Sequence, residues 1–146
     1  MTEHNIHWNV LDLYQELVQE HESLHWRQGN TMKFIHIADV NLGAQPDRGR
    51  IWSDVRAKEI YSTFHRVIEV CEEQKIELLL IAGNLFYTKP TEQDLKELDF
   101  QLRKIPNTKT VIIAGDQDYI DPGSAWETYT FESNTIVMPR DQAASV

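Results

Sequence analysis

The stretch IELLLIAG, residues 76–83, is apolar at nearly every position. A strand with one wet face alternates apolar and polar residues, so a continuous run of this kind belongs to a strand covered on both sides, the habit of a parallel sheet with helices packed on it. The run KTVIIAG, residues 109–115, repeats the pattern and leaves its strand through the same Ala-Gly pair. A third compact run, MKFIHIAD at 32–39, is rich in β-formers and ends at an aspartate. Strand ends built so alike are expected to converge on one site.

Between these runs lie two helical patterns. Ser53 is placed to cap a helix whose apolar stripe is Val55, Ile60, Phe64, Val67, Ile68 and Cys71, ending near EEQK. Thr91 followed three residues on by Asp94 makes a capping box for a helix that turns Leu95, Leu98 and Leu102 inward. After the third strand come a loop, a short helical turn and a short strand at 135–138. Upstream, Trp8, Leu11, Tyr14, Leu17, Val18, His21 and Leu24 recur at spacings of three and four, the period of an amphipathic helix. RQGNT then reads as a linker. The expected organisation is an N-terminal helical extension over 1–31 and an α/β domain over 32–146, with a βαβαβ parallel sheet and right-handed crossovers.

At 146 residues the chain has room for one core. It carries 14 Lys and Arg against 23 Asp and Glu, a net charge of −9. That field repels phosphate and argues against indiscriminate nucleic-acid binding. The charge is unevenly spread, however, and residues 32–75 are balanced. Within them Arg48, Arg50, Arg56 and Lys58 face only Asp47 and Asp54, a candidate basic lip for weak DNA binding beside the alternative of an ordinary solvated surface. Trp52 and Trp126 are read as core or interface anchors, Trp52 with the option of stacking on a base, and His36 as a core histidine. His21 and His25 have the i, i+4 spacing of a metal pair but no third ligand. A lone cysteine, Cys71, excludes an intramolecular disulfide and fits a small buried apolar residue in a reducing compartment. No apolar stretch approaches the ~20 residues of a membrane span, and the N-terminus lacks the order of a signal peptide. The expectation is a cytoplasmic protein with no membrane partner.

In open α/β sheets ligands bind beyond the carboxyl ends of the strands. The residues there are Asp39 and Asn41, Asn84, and Asp116, Gln117 and Asp118. Six oxygen-bearing side chains on one rim suit a metal or phosphate site. A rim of turn-forming Asn and Asp without a ligand has the same composition.

The segments FIHIADVNLG, LLLIAGNLF and VIIAGDQDY resemble the first three blocks of calcineurin-like metallophosphoesterases, whose patterns are Asp-x-His, Gly-Asp and Gly-Asn-His-Asp. PDRGRIWSDVRAKEIYSTFHRVI is similar to the DNA-repair exonuclease branch, the nuclease subunits of SbcCD type. The resemblance covers residues 32–138 and implies half of a two-sheet sandwich. It also implies a pair of divalent metals, usually manganese, that activate water against a phosphodiester. Carried over by position, Asp39 and Asp118 match. Asn41 stands for a ligating His, Asn84 for the Asp that bridges both metals, Asp116 for a ligating Asn, and Gln117 for the His that assists phosphate and leaving group. No His follows His65, so the later histidine ligands of the family have no counterpart.

These replacements bear on chemistry. Two divalent ions ~3.5 to 4 Å apart repel by about 17 to 19 kcal/mol at an effective dielectric constant of ~20, so the bridge must be anionic. Asn84 is neutral. The matched positions hold no imidazole to select a transition metal, and Gln117 cannot exchange a proton. The expected function is a degenerate metallophosphoesterase domain, inactive as a hydrolase and acting as a binding or scaffold module. The alternative is an active metal-dependent phosphoesterase or exonuclease with altered ligands. An all-oxygen set of Asp39, Asp116 and Asp118 with the carbonyls of Asn41, Asn84 and Gln117 would suit one magnesium or calcium ion better than a manganese pair. Half a sandwich would leave apolar faces and an open edge, which favours self-association or a protein partner.

Overall fold

A computed structural model describes residues 31–139. The N-terminal helical extension, with His21 and His25, lies outside the described residues. Seven elements follow one another: β1 (Phe34–Ile37), α1 (Ser53–Gln74), β2 (Leu78–Ala82), α2 (Glu92–Leu102), β3 (Lys109–Ile113), α3 (Ala125–Thr128) and β4 (Thr135–Val137). The strands form one parallel sheet in the order β1-β2-β3-β4. The expected α/β class and the three parallel strands are present, and the short terminal strand adds to the same sheet as a fourth.

Local chemistry sets the helix ends. Thr91 caps α2: its hydroxyl accepts from the Asp94 N–H at 3.3 Å while Asp94 Oδ2 accepts from the Thr91 N–H at 2.7 Å. α1 begins differently from expectation. Ser53 is its first residue, not its cap, and its hydroxyl donates to the Pro46 carbonyl at 2.9 Å, tying the helix to the preceding loop. Lys75 closes α1 in the left-handed conformation, its N–H reaching the Cys71 and Glu72 carbonyls. The buried part of the α1 stripe is Phe64, Ile68 and Cys71, whereas Val55 in the first turn is 56% exposed.

A parallel sheet in sequence order, wound by right-handed crossovers, carries its helices on one face. The core follows that rule: Leu79, Ile81 and Ile112 of the sheet pack with Phe64, Ile68 and Cys71 of α1 and Leu95, Leu98 and Leu102 of α2. The alternate residues Leu78, Leu80 and Val111 face the other way and are buried too, so both central strands match their unbroken apolar composition. β1 is an edge strand with Ile35 and Ile37 against the core. His36 points to the opposite face and is exposed, so it is not a core histidine. Trp126 is buried against Phe86 in an edge-to-face contact, while Trp52 is 47% exposed. Cys71 is a free, fully buried thiol. Among the described residues no helix is long and apolar enough to cross a membrane.

Candidate functional site

The strand order never reverses, so no crevice opens at a switch point between strands. The rim is assembled instead by the loops, which continue the ladder past the strand ends. Asp39 N–H donates to the Gly83 carbonyl at 3.1 Å, Asn41 N–H to Asn84 at 2.9 Å and Leu42 N–H to Leu85 at 2.8 Å. On the other side Gly83 N–H donates to Ile113 at 2.8 Å. To turn away while staying paired, the chain adopts left-handed backbone at Asp39 (φ 51°), Asn41 (φ 56°) and Asn84 (φ 46°). Asn and Asp tolerate that region better than other residues with a side chain.

Asn84 is the centre of the rim. Its Nδ2 donates to Asp39 Oδ1 at 3.0 Å, and its Oδ1 accepts from the Gln117 backbone N–H at 3.0 Å. One carboxamide therefore joins the ends of β1, β2 and β3. The partners fix its orientation, because a carboxylate can only accept and a backbone N–H can only donate. Gly115 passes so close that a Cβ there would overlap the Asn84 side chain. Asn41 turns back locally, its Nδ2 donating to the Asp39 carbonyl at 2.8 Å.

The remaining rim residues separate. Asp118 is fully buried: its Oδ1 accepts from the Gly115 N–H at 2.6 Å, its Oδ2 from the Phe86 N–H at 3.0 Å, and its carbonyl from Trp126 Nε1 at 2.7 Å. It braces the loops from below. Asp116 and the Gln117 side chain are exposed. Lys89, in the loop after β2, reaches Asp121 at 2.8 Å and lies 4.0 Å over the Tyr119 ring.

This arrangement does not fit a manganese pair. Where a shared metal bridge needs an oxygen, Asn84 directs an N–H at the Asp39 carboxylate. Asp39, Asp116 and Asp118 do not gather, and the described residues include no group of three His, Cys, Asp or Glu side chains that could hold a metal ion.

The basic lip is dispersed around residues 45–59. Arg48 binds the Gln45 side chain through Nε and Nη2, Arg50 lies 5.8 Å from the Trp52 ring centre, and Arg56 is 3.8 Å from Glu59. Lys58 is exposed. Trp52 Nε1 donates to Asp47 at 3.0 Å. Beside these charges stand Ile51, 95% exposed, and Val55. The result is a mixed apolar and basic surface, which the count of charges alone does not disclose. A cavity of about 420 Å³ opens between the end of β1 and α1, lined by Ile37, Val40, Ile60, Phe64 and Val67 with Asp39, Arg56 and Glu59 also in its wall. Its helical wall, Ile60, Phe64 and Val67, belongs to positions that the helical period assigns simply to core. The sequence signals Gly115 only through the repeated Ala-Gly pair.

No family model matches the chain. It is similar to the DNA double-strand break repair protein Mre11 of Aeropyrum pernix, 29% identical over 97 residues. Those residues are 66% of this chain and 23% of that protein, so the chain spans less than a quarter of the length of the curated relative it matches.

Proposed function

We propose that this is a metallophosphoesterase-like domain of the DNA-repair exonuclease type that has lost the two-metal hydrolytic centre and serves as a binding or scaffold module. The Asn84 contact with Asp39 carries the proposal. A hydrogen-bond donor stands where charge compensation between two cations would require a shared carboxylate. Asn41 and Gln117 supply no imidazole at the matched positions, which removes transition-metal preference and proton exchange together. Similarity to a double-strand break repair protein supports the repair context.

Support for binding comes from the surface around the first turn of α1. Exposed Ile51, Trp52 and Val55 next to Arg50 and Arg56 form the composition of a protein contact, in which aromatic and arginine side chains carry most of the energy. DNA is a weaker candidate, because the net charge of −9 opposes phosphate.

A phosphodiester assay with bis-p-nitrophenyl phosphate and excess manganese tests the proposal. No turnover above a matched Asp39→Ala control is expected. Turnover that this substitution abolishes would restore the active alternative.

A further inference from the structure

The Asn84 amide is more than a lost ligand. We infer that it is a cation substitute: a positioning residue that closes the rim by hydrogen bonds, so that the domain folds to its final form without a metal. This rests on the loss of the two-metal centre but adds a claim about what replaced it.

Three observations support the inference. First, both ends of the carboxamide are used on different strands, Nδ2 on Asp39 at the end of β1 and Oδ1 on the Gln117 N–H beyond β3. A neutral amide does both with no added proton or ion. A carboxylate at residue 84 would still accept from Gln117 but would face Asp39 oxygen to oxygen at a distance where two anions repel, unless a cation or proton stood between them. Second, the backbone at residue 84 holds a φ of 46°, a conformation that needs compensating contacts in a residue with a side chain. Third, Gly115 packs directly on the amide, with no room for a Cβ. The pocket around the carboxamide is thus shaped to it on three sides.

Reversing the pair separates this role from generic packing. In Asn84→Asp the two carboxylates meet. In the double substitution Asp39→Asn with Asn84→Asp the donor and acceptor exchange places, the net charge of the wild type returns and the contact can re-form. Thermal unfolding of the full chain at neutral pH, in EDTA and with manganese chloride, is the readout. Wild type is expected to melt at the same temperature in both. Asn84→Asp is expected to melt several degrees lower in EDTA and to regain most of that loss with manganese. Asn84→Ala is expected to lose stability in both conditions, and the double substitution to recover without metal.

A wild-type melting temperature that climbs saturably with manganese, or Asn84→Ala melting with wild type, or failure of the reversed pair to recover, would overturn the inference. Should Asn84→Asp alone prove insoluble, the reversed pair decides: soluble, folded protein supports the inference and continued insolubility contradicts it. Phosphodiester turnover by the wild type would instead strike at the loss of the hydrolytic centre, and the melting series would still report on the amide.

Discussion

Gly115 has no side chain where the Asn84 carboxamide passes, and a Cβ added there would overlap Asn84 Oδ1 and its backbone nitrogen. The end of β3 is therefore fitted to the end of β2 at one residue. Gly115→Ala must push the Asn84 loop away from Gln117 or bend β3. We expect a loss of about 1 to 3 kcal/mol, the usual cost of overpacking, measured by urea denaturation. A stability within ~0.3 kcal/mol of wild type would show that the contact is slack.

Asp118 ties the loops after β2 and β3 together. Its carboxylate accepts from Gly115 N–H and Phe86 N–H in a fully buried position. Asp118→Ala strands both donors, at about 1 to 3 kcal/mol each, and Asp118→Asn strands one. The expected order of stability is wild type, then Asn, then Ala. Equal stability of the two variants would remove the bracing role.

Asp99 makes stability depend on acid. Burial raises its pKa, but hydrogen bonds from Ser133, from the Glu132 N–H and from the Tyr129 hydroxyl prevail and hold it below the ordinary 3.8. A depressed folded-state value gives stability that is present above the unfolded-state pKa and is lost as pH falls through the folded one. Asp99→Asn should therefore be less stable than wild type at neutral pH, with the gap narrowing below about pH 4. A gap that is constant from neutral to acid would exclude the carboxylate charge as its source.

Cys71 should be silent toward thiol reagents. It is fully buried under α1, and burial pushes its thiol pKa upward, so both access and thiolate are lacking. An aromatic disulfide reagent is expected to react only at the rate of unfolding, accelerating in urea. Immediate reaction of the native protein would mean that α1 opens readily.

The sequence foretold the sheet because its signals are local and strong. Leu78 to Ile81 have no polar interruption, and Thr91 with Asp94 spells out a helix start. Ser53 misled because a hydroxyl at a helix start can cap or can bond backward, and the choice depends on where Pro46 lies. The rim was legible as a list of residues but not as a network. Asp39, Asn84 and Gln117 come together through loop pairing across 33 to 45 positions, and nothing in the order of residues reveals that Asp118 turns inward while Asp116 faces out. His36 shows the same limit: alternation fixes which face it occupies, not whether that position is covered.

On the reading proposed above, an amide and not a pair of metal ions holds this rim. Crystals soaked in manganese chloride and measured at the manganese absorption edge test it most directly. No anomalous density is expected between Asp39 and residue 84, with the Asn84 amide still within hydrogen-bond distance of the carboxylate. Two well-occupied anomalous peaks flanking Asn84 would contradict it.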